Sequence, residues 1–427
     1  KMKQNNKGIT LIALVITIIV LLILAGVSIA MLTGENGILN QAQESKTQTE
    51  YKSAEEKVKL AIMGARANDG QMTVAELKTE VGYQGGSIIG DNFPVEVQMD
   101  GYTFVVNENG NIGQIDSLGT VTGHETSNTT VYDKLGNRVV VPAGFKVQKP
   151  EKTVPDGIVI VDKKHTATEG SEFVWIPVGT VKKSDGSSIA IELKRYVFKE
   201  DGTIDESLTK TEPGDQLKPS ASSSYYYTEG LKDSTTSNTH AKDIEAFKTS
   251  AVNNKGYYIG RYEARTPTKR TVKGDALTQL TEKPGDYVYN YVTQPQAAEI
   301  SQKMYAENSK FTTDLVNSYA WDTAITFLQA FDNRENKAKP YSRQESLNKS
   351  LADKGTNNLE TKDVICNIYD MASNTLERTT ETCDYTNGPC VVRGGNYGAS
   401  NRYTSLRGLL TTADSSEGGS FRPLLYL

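Results

Sequence analysis

Three cysteines and three histidines are the soft metal ligands and nucleophiles this sequence offers, and their spacing does not bring them together. Cys366, Cys383 and Cys390 show no zinc-ligand pattern, and His124, His165 and His240 lie far apart. Neither a histidine metal cluster nor a catalytic triad is indicated. Cys383 and Cys390 either close a short disulfide loop, leaving Cys366 over, or are buried thiols. The other stretch with chemistry in it is NYGASNRY, residues 396–403. Tyr supplies a large amphipathic contact at low entropic cost, and Asn and Ser hydrogen-bond adaptably, as in antibody loops. The segment is therefore expected to be a protein- or glycan-binding face, with Asn396, Tyr397, Asn401, Arg402 and Tyr403 as its ligand-binding residues. Gly398 and Ala399 are small where a core strand would want bulk.

The elements that would carry such a face follow from composition and periodicity. The chain has 427 residues, a net charge of −5 and a mean hydropathy of −0.47. That is room for about three domains, and without a basic stripe it excludes nucleic acid as an expected partner. From Ile9 to Ala30 no side chain is charged. At about 1.5 Å per residue this run gives roughly 33 Å of helix, enough to span a bilayer. A short basic segment, Lys1 to Gly8, precedes it and is expected to be cut off as a cytoplasmic leader, the rest lying outside.

Tyr51, Ala54, Val58, Ala61 and Ala65 continue at helical spacing. One long helix over 9–67 is thus expected, with its transmembrane half at 9–30. Residues 68–116 alternate in short apolar runs, and VEVQM and YTFVV around Asp100 and Gly101 predict a hairpin. A polar, Thr-rich linker is expected at 117–130 and a large domain at 131–427, with a polar excursion near 209–250 containing Tyr225, Tyr226 and Tyr227.

Gly8 followed by ITLIALVITIIV resembles the prepilin signature of type IV pilins and the pseudopilins of type II secretion. The resemblance implies cleavage between Gly8 and Ile9 by a prepilin peptidase, methylation of Ile9, other pilin subunits as partners, and a place in the bacterial cell membrane and on the cell surface or pilus, with the C-terminal domain extracellular. Ala13 stands where most such pilins carry glutamate. That suits a tip subunit, or a lineage that dispenses with the carboxylate.

Beyond residue 131, Phe173–Gly179, Tyr257–Ala264, Ser318–Phe331, Tyr369–Glu381, Arg393–Tyr397 and Gly419–Arg422 occur in the order of the formylglycine-generating-enzyme family, a variant of the C-type-lectin fold. The active enzymes carry a copper-binding cysteine pair after the RGG block, and Arg393–Leu427 contains no cysteine. The domain is therefore expected not to be an enzyme. The same resemblance implies a structural calcium site with side-chain oxygens from Asp370 and Glu377 and carbonyls from Ser373 and Thr375. Members of this fold diversified by retroelements vary in their final segment, where residues 396–403 lie.

The expected fold class is α+β: a long N-terminal transmembrane pilin helix with a small antiparallel sheet, followed by a formylglycine-generating-enzyme-like domain of C-type-lectin fold. The expected function is a pilin-like, surface-displayed binding protein, a minor or tip subunit or adhesin. The rivals are a membrane-tethered oxidase and a pseudopilin of a type II secretion-like system.

Overall fold

The structure is a computed structural model that describes residues 38–427 apart from 68–69, 91–92, 94, 107, 111, 114–115, 213, 230–240, 335–337, 348–349, 355–362 and 400. The expected leader, the Gly8–Ile9 junction and the apolar run 9–30 lie outside the described residues. The chain divides into two units, 1–114 and 115–427.

In the first unit, helix α1 (Ile38–Ala65) buries Ala54, Val58, Ala61 and Ala65, the face that the helical spacing marks out, while Lys59 and Glu55 pair at 2.7 Å. Helix α2 (Val74–Tyr83) starts at a capping box, in which Glu76 N donates to Thr73 Oγ1 and Thr73 N to the Glu76 carboxylate. Strands β1 (Ser87–Ile89), β2 (Val95–Met99), β3 (Tyr102–Val106) and β4 (Ile112–Gly113) form one sheet in that order. The expected β2–β3 hairpin turns at Asp100 and Gly101, both at positive φ, with Val97 opposite Phe104. Tyr51 of α1 packs its ring on Tyr102 and Phe104.

The expectation of an architecture led by a transmembrane pilin helix is corrected. The described residues are rich in short strands, four of their five helices have 10–13 residues, and none of the helices is long and apolar enough to cross a membrane. Helix α1 is the long one, and Glu50, Lys52, Glu55, Glu56, Lys57 and Lys59 along it make it too polar. The expected location in a bacterial membrane and pilus is corrected by the same finding.

The second unit is built on strands β5 (Phe145–Val147), β6 (Val159–Asp162), β7 (Glu172–Pro177), β8 (Tyr227–Thr228), β9 (Gly256–Gly260), β10 (Thr312–Leu315), β11 (Leu376–Cys383), β12 (Cys390–Arg393), β13 (Arg407–Leu410), β14 (Gly419–Phe421) and β15 (Pro423–Tyr426). The main sheet runs β10-β15-β9-β7-β6-β5, with β7 and β9 central and buried along their whole length. Such strands read as unbroken apolar runs, as FVWIP and GYYIG do. Helices α3 (Ile244–Asn254), α4 (Gln294–Lys303) and α5 (Ser318–Ala330) pack against this sheet. Trp175, Trp321 and Phe421 are core residues at 0% exposure. The second sheet runs β8-β11-β12-β13, with β14 parallel to β11.

The expected linker belongs to this unit. Residues 116–117 pair with 131–132, and Leu118 and Val121 enter its core, so two apolar side chains outweigh the polar composition around them. The excursion is also tied down, since Leu217 and Tyr227 are buried with Cys383 and Val391 in a small core of their own.

The second sheet and α5 meet, with Arg195 between them, at a buried charge cluster. Glu381 of β11 accepts hydrogen bonds from Arg195 Nη2 at 2.7 Å and from Arg407 Nε at 3.0 and 3.1 Å, and Arg393 Nη1 lies 3.5 Å away. Asp322 of α5 pairs with Arg393 and, at 2.5 Å, with Arg407. All five side chains are 2% exposed or less. Burial pushes the Glu381 carboxyl upward, but Arg407, Arg195 and Arg393 together outweigh it and bring it down to about 2.

A carboxylate whose pKa falls on folding stabilises the protein above its ordinary value and loses that contribution as it protonates. The melting temperature is therefore expected to drop as pH falls from about 4.5 towards about 2. In Glu381→Gln this drop should be shallower, on top of a loss of about 3–5 kcal/mol at neutral pH from breaking a buried pair. Urea titrations of both proteins across that range check it, and parallel pH profiles would refute the assignment.

Candidate functional site

The segment 394–406 joins β12 to β13, and its ends are held before its side chains are considered. Arg393 and Arg407 are cross-strand partners, and both reach Asp322 and Glu381. Gly394, at φ +78°, and Gly395 pass so close to the 371–372 backbone that a Cβ would meet Met371 O at 2.5 Å and Ala372 O at 2.2 Å. This is a close approach that only glycine permits. The Trp321 indole N–H donates to Thr404 O at 3.0 Å and Arg393 Nε to Leu406 O at 2.8 Å. Thr404 N and Ser405 N donate to Gln344 O and Ser342 O, and Tyr397 N to Asn374 O.

On this fixed backbone the five predicted ligand-binding residues lie outside the hydrophobic cores. Asn401 is exposed, and Asn396, Tyr397, Arg402 and Tyr403 are half-buried. The Tyr397 hydroxyl donates to Glu417 Oε2 at 3.1 Å, and the Tyr403 ring lies 4.6 Å from the Arg343 guanidinium. Asn396 Oδ1 is buried and accepts no hydrogen bond among the described residues. The loop thus offers aromatic, amide and guanidinium groups together, held by neighbours distant in sequence.

Sequence reasoning misses those neighbours. Glu417, Arg343 and Glu345, which bridges to Tyr403, come from other segments, as does Tyr291. Tyr291 has φ +55°, uncommon for a bulky residue. It is held there by Tyr291 N donating to Ser416 O and by Arg270 Nη2 donating to Tyr291 O. No local pattern in the sequence signals any of them.

The structure gives the residues expected to hold calcium the following partners. Both Glu377 oxygens face Arg422, whose Nε and Nη2 donate to them at 2.9 and 2.5 Å. Asp370 turns the chain at φ +62°, with its N–H donating to Asp363 O. The Ser373 hydroxyl accepts from Leu347 N, and Thr375 donates its hydroxyl and its N–H to Glu263. Glu282, near Arg422 and Arg265, is buried with neither oxygen hydrogen-bonded among the described residues, and burial holds its pKa well above the usual carboxylate range. Among the described residues no three His, Cys, Asp or Glu side chains are grouped to hold a metal.

Cys383 and Cys390 are free, buried thiols, as is Cys366. Thr382 is the register partner of Cys390, so in a strand of period two Cys383 faces the opposite side of the sheet. The disulfide alternative is thereby corrected. His165 pairs its Nδ1 with Asp162 Oδ1 at 2.9 Å, while its Nε2 faces Asn308 at 3.2 Å and its ring packs on Phe145, Tyr305 and Phe311.

Excess chelator is expected to leave the melting temperature unchanged, because no divalent ion is needed to neutralise Glu377. Arg422→Met, which strips that carboxylate of its partner, should cost about 3–5 kcal/mol. A chelator-induced drop in melting temperature, reversed by adding calcium, would overturn this reading.

No protein-family model and no curated protein sequence matches the chain, so neither the pilin nor the formylglycine-generating-enzyme resemblance is carried by a family match. Comparison with solved structures returns Treponema denticola variable protein 1, 12% identical, with the match covering 60% of this chain and 96% of that one at a TM-score of 0.31. A likeness of that degree fixes neither fold nor function.

Proposed function

We propose that the 115–427 unit is a lectin-like binding module without catalytic activity, and that the 394–406 loop is its recognition face for a protein ligand. One observation carries the reading. Tyr397, Asn401, Arg402 and Tyr403 project from a loop whose backbone is pinned at both ends, and they belong to no hydrophobic core. Rigid aromatic anchors among adaptable polar groups are how loop-based paratopes obtain affinity at low ordering cost. The non-enzymatic part of the proposal is supported by the lack of any cysteine in 393–427, where the oxidases this domain resembles carry their copper pair.

Binding of the labelled full-length chain to bacterial and animal cells, measured by flow cytometry, tests the face. Anchor tyrosines contribute about 2 kcal/mol or more each, so Tyr397→Ala/Tyr403→Ala should weaken adherence about thirtyfold or more. Stability should change by no more than about 1 kcal/mol, the size of the Arg343 cation–π contact. Undiminished adherence, or a double variant that unfolds, would sink the proposal.

A further inference from the structure

The side chains of Tyr225, Tyr226 and Tyr227 take no part in the charge cluster, which the run meets through the Tyr227 carbonyl alone, nor in the 394–406 loop, and the structure gives each of the three rings a different environment. Tyr227 is buried at 4% exposure in the small core with Val197, Leu217, Cys383 and Val391. Tyr226 is half-buried, with Lys218 Nζ 4.6 Å from its ring centre. Tyr225 is 38% exposed and stacks on Tyr385, with ring centres 4.8 Å apart and planes tilted by 42°. Tyr385 in turn packs on the small core, so the outer ring rests on a layer that is itself supported.

The backbone beneath the rings is zipped to the end of β11. Tyr226 N donates to Asp384 Oδ1 at 2.9 Å and Asp384 N to Tyr226 O at 3.1 Å, while Leu217 and Tyr227 exchange two bonds of 2.9 Å. Tyr225 N donates to Ser223 Oγ and Ser223 Oγ to Tyr225 O. The rings are thus fixed before any ligand arrives, which lowers the ordering cost of binding.

Core packing accounts for Tyr227 and Tyr385 and leaves the exposed ring unexplained. Tyr225 is the one large apolar side chain exposed between residues 206 and 229 or between 376 and 395, among the described residues. Its neighbours Ser222, Ser224, Asp384, Thr386 and Asn387 are polar. The aliphatic side chain beside Tyr385, Leu409, is half-buried against the small core, so a protein partner docking through apolar contacts would meet little here beyond the Tyr225 ring. The patch offers an electron-rich aromatic face, flanked by hydroxyl, amide and carboxylate groups, and the charges of Lys218 and Asp384 offset one another. A ligand complementary to it has one face of weakly positive C–H bonds, an edge of hydroxyls and no net charge. A pyranose ring has this construction. We propose that Tyr225, Tyr226 and Tyr385 form a platform for a neutral oligosaccharide, separate from the 394–406 recognition face.

Isothermal titration of the full-length chain with cellohexaose, maltohexaose, mannohexaose and chitohexaose tests the proposal. At least one should bind. Tyr225→Ala should weaken that binding about tenfold, the value of one good aromatic contact, with the melting temperature unchanged. Tyr225→Phe should retain most of it, and Tyr397→Ala/Tyr403→Ala should leave it unaltered, so that failure of the protein-binding face and failure of the platform are distinguishable. No binding of any of the four at millimolar concentration, or equal binding by Tyr225→Ala, overturns the proposal. Should Tyr225→Ala lose its melting transition, protection of Tyr225 from nitration by the bound oligosaccharide in the unaltered protein decides, and lack of protection counts against the platform.

Discussion

Two carboxylates and three guanidiniums, one positive charge more than the carboxylates balance, are held in a place that water does not reach, and the second unit is arranged around that requirement. Taking such charges out of water costs several kcal/mol per ion, which their attraction offsets only if the geometry is good and the remaining donors are satisfied. The protein meets this with backbone carbonyls. Arg195 Nη1 and Nη2 donate to Asp215 O and Tyr227 O, Arg393 Nε to Leu406 O, and Arg407 Nη1 to Tyr196 O. Two of these carbonyls lie in the connection that leads into β8, one in β8 and one in the 394–406 segment, so the charges fix the chain around them as well as one another. A planar fork of five donors can do this where a lysine ammonium could not.

The consequence for the 394–406 loop is separation of tasks. The two arginines that bound it point inward to Asp322 and Glu381, and its backbone is tied to 342–344, 374 and Trp321. None of these ties uses the side chain of Asn401 or Arg402, and the Tyr397 hydroxyl and the Tyr403 ring meet Glu417 and Arg343 at the rim. Residue identity on the outer side can therefore change without disturbing the stem. Binding sites on loops depend on such rigid support.

What was legible in the sequence is what depends on local pattern. Ala54 to Ala65 mark a helical face, Asp100-Gly101 a hairpin turn, and Asn396–Tyr403 a segment unsuited to a core. What was not legible depends on partners far along the chain. The Thr-rich stretch 117–130 looked like a linker because Leu118 and Val121 are too few to make a pattern, yet two buried side chains suffice to hold it. Cys383 and Cys390 are close enough in sequence to suggest a bridge, and only the strand register separates their faces. Glu417 and Arg343 reach the loop from segments that nothing in its own sequence indicates.

The carboxylates of the 369–381 block show the same limit in chemical terms. A hard cation there would take carboxylate and carbonyl oxygens, six to eight of them. Arg422 takes the same kind of set: Nε and Nη2 bind the two Glu377 oxygens, Nη1 binds Gly260 O and Nη2 binds Tyr369 O. One guanidinium, supplied by the chain itself, thereby joins β9, β11 and the turn before Asp370. From sequence alone, an acidic residue at the right spacing cannot be assigned to a cation or to an arginine 45 residues away. The difference is physical. A bound cation would make the unit's stability depend on its concentration, whereas an internal arginine removes that dependence and leaves protonation of the carboxylates as the means by which solution conditions reach the core.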